Sequence, residues 1–526
     1  MIRLRMHEKI LPFATCSETL EEVRRAGRKV VHCHGTFDLL HPGHLKHLEA
    51  AKKHGDVLVV TVTSAPFVNK GPGRPVFGDD QRAYQLAHLS IVDYVVVIPH
   101  PHAVEAIEKV RPDVYCKGSE YASPQNETDR RIDEDAAAVA RFGGRIVFVG
   151  EPLHSSTQLI ASHLDALDPE VREYLESIEP KDATDQLDPV LARIANLRVL
   201  VLGDLIIDRY TYGHVQGLTA KARVLSLRRE REEDYLGGSL AIARHIASFH
   251  CKKVKYLALA GTEPWLDMAL QQMQGEGVDL ELLRSPDYQT ILKQRYVERP
   301  GKRKDLVKLF AVNQITDDPP RALREQLLAR IAAEVEQSDL VVLCDYGHGY
   351  VDPTVQKLVE DRASWLALNV QSNSYNYGFN LITRYRRCDL FTMDETELRL
   401  AAGKRHVSEF ELMTDLTRRL GARQGWLTLG SSGSLVCTAQ GTSHSCPAMI
   451  KSTVDTVGAG DAFFSAAALC GRVEAPVELT AILSNLSGAV AANIVGNKEP
   501  IQSDAIVKNA RYLLKSARSP ETSTGA

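Results

Sequence analysis

Short β-branched runs alternate with helical segments along most of this chain, and the alternation occurs twice. The first stretch contains the runs V-V-H-C-H, V-L-V-V-T-V-T, Y-V-V-V-I, D-V-Y-C-K-G and R-I-V-F-V-G. The second opens with V-L-V-L-G-D at Val199 and continues to about Lys515. This rhythm predicts α/β folds with parallel, doubly wound sheets covered by helices. Ligands bind such sheets at the carboxyl ends of the strands.

A polar, acidic segment separates the two stretches. Because 526 residues exceed what one hydrophobic core serves, we expect two substantial domains, with a third left open. The predicted boundaries are a first domain at 1–162, a partly helical linker at 163–196 and a second domain at 197–515. Residues 516–526 are small and polar, which predicts a disordered tail.

Composition narrows the classes of partner. Lysine and arginine number 63 against 67 acidic residues, a formal net charge of -4, and no long basic run offers a footprint for nucleic acid. The charged N-terminus argues against a signal peptide, and no uncharged apolar stretch is long enough to span a membrane. The nine cysteines are scattered without a C-x-x-C pair, as in a cytoplasmic protein with reduced thiols.

The decapeptide G-T-F-D-L-L-H-P-G-H at residues 35–44 is the first strong motif. It places a glycine turn after a strand and two imidazoles at a helix start, where free backbone N–H groups attract anions. This arrangement predicts a phosphate cradle that could stabilise the charge developing in nucleotidyl transfer. An isolated H-x-x-H would be incidental or part of a metal cluster with its neighbours, which are His32, His34 and His47.

The decapeptide resembles the signature of the cytidylyltransferase-like nucleotidyltransferases. Further segments follow in the order of the sugar-phosphate branch: K-G-P-G-R-P-V-F (70–77), R-P-D-V-Y-C-K-G-S-E-Y (111–121) and H-S-S-T-Q-L-I (154–160). The resemblance covers about residues 29–162 and implies a Rossmann-like nucleotidyltransferase fold. The catalytic residues it implies are His41, His44 and Lys70, and the nucleotide-binding residues are Gly35, Thr36, Phe37, Asp38, Arg82, Lys117, Gly118, Ser156 and Thr157.

The run D-T-V-G-A-G-D at residues 455–461, followed by an apolar helix, is the second strong motif. Glycines that open a helix expose N–H groups to an anion, and a carboxylate at the same helix start can take a proton from a hydroxyl. Phosphoryl transfer to an alcohol needs both features, with metal arriving on the nucleotide phosphates.

This run resembles the signature of the ribokinase-type sugar kinases, and other segments follow in family order over about residues 197–515. The resemblance implies a ribokinase-like fold with Asp461 as the general base. It also implies substrate contacts and nucleotide contacts. The substrate-binding residues are Asp208, Gly237 and Gly238, and the nucleotide-binding residues are Asp394, Glu397, Thr428, Gly430, Gly433, Gly458, Ala459 and Gly460.

The chain departs from the family pattern at four places. Ala241 stands where an asparagine usually touches the sugar, and N-V-Q at 369–371 replaces the D-P-K of the heptose kinases. Asp394 replaces the asparagine of N-x-x-E but still offers an oxygen to magnesium, and His348 replaces a lysine. Two interpretations stay open: the acceptor differs from heptose 7-phosphate, or the domain binds sugar without turning it over.

Together the motifs resemble the bifunctional heptose-phosphate kinase/adenylyltransferases, with the two domains in reversed order. That resemblance implies a sugar-phosphate kinase and a sugar-1-phosphate nucleotidyltransferase that make an ADP-heptose-like product from ATP with Mg²⁺. The magnesium would come with the nucleotide, near Glu397, rather than on a dedicated side-chain cluster. The alternatives are a CTP-dependent transferase for a polyol phosphate, and a weak kinase-like domain that regulates or dimerises. The partners implied are a sugar phosphate and a nucleoside triphosphate, with a homodimer left open.

Overall fold

The computed structural model describes residues 9–68, 75–100, 103–118, 128–149, 168–178, 180–219, 222, 224–298, 307–316, 318–373, 375–449, 457–494 and 497–516. The chain forms two compact units, one ending at Asp168 and the other beginning at Pro169.

The first unit is a parallel sheet with helices on both faces. In the described residues its strands have the order β1-β4-β3-β2-β5-β6, and every neighbouring pair is parallel. The strands are β1 (Ile10–Leu11), β2 (Val30–Gly35), β3 (Val57–Thr63), β4 (Tyr94–Ile98), β5 (Val114–Gly118) and β6 (Arg145–Val149). The helices are α1 (Cys16–Arg25), α2 (Pro42–Lys52), α3 (Asp79–Ala87), α4 (Ala103–Val110) and α5 (Thr128–Ala140).

Burial explains why these runs became central strands. Every residue of β3 is buried, as expected for a β-branched strand covered on both faces. One core cluster includes Val31, Leu58 and Leu86, and another includes Leu20 and Val59. Since adjacent residues of a strand point to opposite faces, the residues of β3 divide between the two clusters. The predicted doubly wound sheet is confirmed.

The second unit contains a larger sheet and a smaller one. Its strands are β7 (Arg198–Gly203), β8 (Leu205–Leu218), β9 (Leu225–Gly237), β10 (Lys253–Ala260), β11 (Val278–Arg284), β12 (Ile291–Glu298), β13 (Val307–Gln314), β14 (Leu340–Asp345), β15 (Leu366–Val370), β16 (Leu390–Asp394), β17 (Gln424–Thr428), β18 (Ser434–Thr438) and β19 (Ser443–Cys446). Over the described ranges the larger sheet has the order β11-β10-β7-β14-β15-β16-β17-β18-β19, and the smaller has β13-β12-β8-β9.

Helices of the second unit include two from the predicted linker. The helices of the second unit are α6 (Pro169–Ser177), α7 (Pro180–Ile194), α8 (Gly238–Ala247), α9 (Pro264–Leu270), α10 (Arg321–Val335), α11 (Pro353–Arg362), α12 (Glu395–Ala402), α13 (Glu409–Arg419), α14 (Ala459–Arg472), α15 (Val477–Ala491) and α16 (Ser503–Ser516). Helix α7 packs against α14, α15 and α16, and Tyr174 in α6 hydrogen-bonds His444 Nε2 over 2.8 Å. The predicted linker therefore contributes α6 and α7 to the second unit. The predicted tail beyond Ser516 lies outside the described residues.

None of the helices described here is both long enough and apolar enough to cross a bilayer.

Candidate active sites

The decapeptide of residues 35–44 lies between β2 and α2, at the carboxyl edge of the first sheet. A Cβ on Gly35 would come within 3.1 Å of the Phe37 ring. Phe37 is buried and has a φ of 46°, which is uncommon for a residue other than glycine. The small residue at 35 therefore allows the Phe37 ring to fold back over the end of β2, which fixes the turn leading into α2.

His41 and His44 come together at the start of α2. The ring centroids are 4.0 Å apart, and the backbone N–H of Gly43 donates to His41 Nδ1 over 3.1 Å. Because Nδ1 accepts this bond, the proton of a neutral His41 ring lies on Nε2, which can donate to a phosphate oxygen. The first turn of α2 adds backbone N–H groups without intrahelical acceptors. The structure thus brings the predicted histidines together at a helix start.

Arg82 lies inside the first unit rather than at an open surface. Its guanidinium is fully buried and donates to the carbonyl of Thr36 and to Asp79 Oδ1, each over 2.6 Å. Asp38, also buried, accepts from the backbone N–H of Phe77 over 3.1 Å. In this structure Arg82 and Asp38 connect the decapeptide to the segment 75–82. Arg82 therefore positions the turn, and its guanidinium is enclosed by the protein in this structure.

Lys117 ends β5 together with Gly118, and its ammonium lies 3.0 Å from Asp135. Strand β5 pairs with β2, so the partly buried ion pair of Lys117 lies at the same sheet edge as the decapeptide. Three of the predicted residues lie outside the described residues: Lys70, Ser156 and Thr157.

The other crowded histidines have a structural role between β2 and β3. His32 Nε2 and His34 Nδ1 lie 2.8 and 2.7 Å from the same hydroxyl, that of Thr61. Burial, and then the charge of Lys117, lower the pKa of His34 to about 3, so this ring is neutral at physiological pH. In the part of the chain that the structure describes, no group of three or more His, Cys, Asp or Glu side chains could hold a metal ion.

In the second unit, α14 begins at Ala459 directly after Gly458, and the structure describes this motif from Val457 onward. Gly458 has a φ of 86°, and a Cβ there would lie 1.8 Å from Asn497 Oδ1. Only glycine fits such a position, so Gly458 allows the chain to turn into the helix against Asn497. The predicted anion hole, with Gly460 in the first turn, is therefore a helix start supported by a neighbouring loop.

Asp461 stands in the first turn of α14 with its carboxylate in a polar cavity. The side-chain amide of Gln371 donates to Asp461 Oδ1 over 3.0 Å. Burial raises the pKa of Asp461 to about 7; the Asp208 charge adds to this rise, while the Gln371 hydrogen bond and the Lys293 charge oppose it. A carboxylate that titrates near neutral pH is well matched to accepting a proton from an alcohol.

The cavity beside Asp461 has a volume of about 260 Å³ and includes Asp208. Asp208 is buried and forms an ion pair with Arg295. A Cβ on Gly237 would lie 2.2 Å from Asp208 Oδ2, and Gly238 has a φ of 58°. The absence of a side chain at Gly237 therefore provides the space in which the Asp208 carboxylate sits.

Sequence reasoning missed two cations and one amide of this cavity: Lys293, Arg295 and Asn497. The two cations alternate along β12 in the run I-L-K-Q-R, so their side chains leave the same face of the smaller sheet. This spacing of two residues was the sequence signal that could have identified both cations. Nothing in the residues around Asn497 marked it in the same way.

Asp394 and Glu397 form a capping box at the start of α12. The Glu397 N–H donates to Asp394 Oδ1 over 2.8 Å, and the Asp394 N–H donates to Glu397 Oε2 over 3.0 Å. Burial, followed by the charges of Asp394 and Asp461, raises the pKa of Glu397 to about 7. This concentration of carboxylates is unfavourable by itself, and a divalent cation on nucleotide phosphates would relieve it. Oxygen donors of this kind fit magnesium.

The predicted nucleotide loop connects β17 to β18. Its two glycines, Gly430 and Gly433, have φ values of 57° and 95°. A Cβ on Gly433 would lie 2.0 Å from the carbonyl oxygen of Cys446. Thr428, the last residue of β17, donates its hydroxyl to the Met393 carbonyl at the end of β16. The loop is thus held tightly at the carboxyl end of β17.

These two sites belong to a chain of two α/β units, each with a helix start whose backbone N–H groups are suited to binding an anion. A sequence profile described as the pfkB family carbohydrate kinases matches residues 196–503. The chain belongs to this family. A second profile, described as cytidylyltransferase-like, matches residues 32–161. Both fold predictions, and the order with the transferase-like domain first, are confirmed.

Individual relatives match one part of the chain or the other. The chain is 38% identical over 151 residues to the bifunctional protein HldE of Syntrophotalea carbinolica, which is 28% of this chain and 29% of the relative. It is 29% identical over 284 residues to the D-beta-D-heptose 7-phosphate kinase of Bordetella bronchiseptica, 53% of this chain and 86% of the relative. The chain therefore spans less than a third of the bifunctional relative's length.

Among solved structures, a mutant of phosphofructokinase-2 from Escherichia coli matches with a TM-score of 0.50 and 14% identity. The match covers 60% of this chain and 99% of that one, and it supports the kinase fold alone.

Proposed function

We propose that this chain is a bifunctional enzyme that makes a nucleotide-activated sugar. The second unit phosphorylates a sugar phosphate, and the first joins a sugar 1-phosphate to a nucleotide, giving a product of the ADP-heptose kind. The observation that carries the kinase assignment is Asp461, held at a helix start beside Asp208 with a pKa of about 7. Support for the heptose class comes from the matches to HldE and to a heptose 7-phosphate kinase.

In the proposed kinase reaction, Asp461 accepts the proton of the acceptor hydroxyl as its oxygen attacks the γ-phosphorus. The bond from the γ-phosphorus to the β–γ bridging oxygen breaks, and ADP leaves with that electron pair. Asp208 accepts hydrogen bonds from sugar hydroxyls and so orients the attacking oxygen. The amides at Gly458 and Gly460 stabilise the negative charge of the transferring group. No covalent enzyme intermediate is needed.

In the proposed transferase reaction, a phosphate oxygen of the sugar 1-phosphate attacks the α-phosphorus of the triphosphate. The bond between the α-phosphorus and the α–β bridging oxygen breaks, and pyrophosphate leaves. His41 and His44 donate to triphosphate oxygens together with the N-terminal amides of α2. Lys70, Ser156 and Thr157 belong to the proposal by resemblance.

Magnesium would accompany the nucleotide in both reactions. In the kinase unit, Asp394 and Glu397 would hold it directly or through water, and it would neutralise phosphate charge.

We further propose a cytoplasmic homodimer. All nine cysteines are free thiols, as expected in a reducing compartment. The edge strand β13 exposes Phe310 and Val312 by 46% and 53%, and a second copy could cover them.

The test is the release of ADP and of pyrophosphate from ATP and from CTP with a panel of heptose, hexose and polyol phosphates. The proposal predicts ADP release with a heptose phosphate in the wild type and only background in Asp461→Asn, which has nearly the same shape. Equal ADP release by both proteins would remove the kinase assignment. Pyrophosphate formed only from CTP would replace the ADP-sugar product with the polyol alternative.

A second candidate is a transferase whose kinase-like half regulates without phosphoryl transfer. The neutral Gln371 beside Asp461, where heptose kinases carry a lysine, is the observation that favours it. The same panel separates the two candidates, because the second predicts sugar-phosphate binding with no ADP release.

A further inference from the structure

We propose that Lys293 binds the phosphate group that the acceptor sugar already carries, so that this lysine selects a sugar phosphate over a neutral sugar. The inference rests on the proposed kinase function and names the residue that sets its substrate class.

Lys293 faces the same cavity as the reacting groups of the proposed kinase reaction. It lines that cavity with Asp208 and Asp461, and its half-buried ammonium lies 5.9 Å from the centroid of the Tyr346 ring. In the parallel pairing of β12 with β8, Lys293 stands directly opposite Asp208. The ammonium therefore belongs to the wall of the cavity that holds the sugar.

The charge of Lys293 lacks a direct counter-charge. Across the described ranges, no acceptor is hydrogen-bonded or ion-paired to its ammonium, whereas the neighbouring Arg295 is paired with Asp208. Burial lowers the pKa of Lys293 despite the opposing charge of Asp208. Removing an ammonium from water without a partner costs free energy. A ligand anion at this position would supply the missing partner.

The acceptor phosphate fits this position better than the transferring phosphoryl group. The transferring group must lie between the nucleotide and Asp461, where the amides at Gly458 and Gly460 already provide donors. Lys293 lies directly across from Asp208 in the pairing of β12 with β8, and Asp208 is the residue proposed to bind the sugar hydroxyls.

The first test compares wild type, Lys293→Met and Lys293→Arg with a sugar phosphate and with the same sugar lacking its phosphate. A charge-assisted contact that forms equally in ground and transition states changes KM and leaves kcat nearly constant. We expect Lys293→Met to raise KM for the sugar phosphate about 10- to 100-fold. KM for ATP and turnover of the neutral sugar should stay unchanged, and Lys293→Arg should recover most of the loss.

Lys308→Met on β13 is the matched control, since it removes an exposed lysine of the same small sheet and should keep the preference for the phosphate. A fall in kcat at constant KM in Lys293→Met would mean that the lysine acts on the transferring group, which overturns the inference. An unchanged preference for the sugar phosphate would overturn it too.

A binding measurement separates this inference from the kinase assignment. Calorimetry with each sugar phosphate in the absence of nucleotide reads the Lys293 contact without turnover. If no sugar phosphate yields ADP, the kinase proposal fails by itself. Weaker binding in Lys293→Met, with thermal melting like that of the wild type, would then still support the anion contact, and equal binding would refute it.

Discussion

Replacing Gln371 with lysine should move the acid limb of the kinase pH profile to lower pH. The acid limb of kcat/KM reports the pKa of the essential base in the free enzyme. For the wild type we expect a midpoint of about 7, the pKa that burial gives Asp461. The change places a positive charge where the Gln371 amide now lies, 3.0 Å from Asp461 Oδ1.

The size of the shift follows from that distance. A unit charge about 4 Å from the carboxylate contributes about 4 kcal/mol at an effective dielectric constant near 20. At about 1.4 kcal/mol per pKa unit this sets an upper bound of about three units. Desolvation of the new ammonium offsets part of the gain, so we expect the midpoint to fall by about one to three pH units.

The assay is ADP release over pH 4 to 9, with Gln371→Met as a neutral control. Methionine removes the hydrogen bond that lowers the pKa of Asp461, so its midpoint should rise slightly. Glu397 also has a pKa near 7, and Glu397→Gln shows whether it contributes to the limb. If Gln371→Lys and Gln371→Met shift the limb in the same direction, or neither moves it, Asp461 is not the titrating base beside residue 371.

Three further predictions concern single residues. Asp461→Asn should melt at a higher temperature than the wild type at pH 8 but not at pH 4. Because folding raises the pKa of Asp461 from 3.8 to about 7, the wild-type protein loses stability as pH rises through about 7, and the asparagine variant does not. Equal melting differences at both pH values would contradict this. His44→Ala should abolish pyrophosphate release and keep ADP release; loss of both would argue against independent sites. Gly237→Ala should raise KM for the sugar phosphate at least tenfold, because its Cβ would lie 2.2 Å from Asp208 Oδ2. An unchanged KM would show that Asp208 does not bind the acceptor.

The alternation of apolar runs was enough to predict the doubly wound α/β class of both units, whereas the smaller sheet of the second unit, with its antiparallel pairs, was not predicted. A strand made only of apolar and β-branched residues, such as β3, requires cover on both faces of the sheet. Because the motifs directly follow strands in the sequence, their location at the carboxyl edges of the sheets could be predicted. The positions of Asp461, the paired glycines and the two imidazoles all follow from such local patterns.

Side-chain partners across the fold could not be predicted in the same way. The resemblance implied that Arg82 meets the phosphates, and the structure adds two partners that the sequence did not show: Asp79, one turn away, and the Thr36 carbonyl. In the sequence, Gln371 was notable only as a replacement for the lysine of the heptose kinases, whereas in the structure its amide donates a hydrogen bond to Asp461. These contacts depend on which strand ends meet, and that information is not local.

The capping box of α12 could have been predicted from the sequence but was not. An acidic residue followed three positions later by glutamate is a recognised helix-start signature. Asp394 and Glu397 satisfy it, so a structural role beside the proposed magnesium role could have been predicted.

In the proposed reactions, two separate helix starts bind two different phosphates of ATP. The most direct measurement follows γ-labelled and α-labelled ATP into products formed by wild type, Asp461→Asn and His44→Ala. We expect Asp461→Asn to lose only the transfer of the γ-label to a sugar phosphate. His44→Ala should lose only the appearance of the α-label in a nucleotide sugar made from a supplied sugar 1-phosphate. Loss of both labels in either variant, or of neither label in both variants, would contradict two separate active sites.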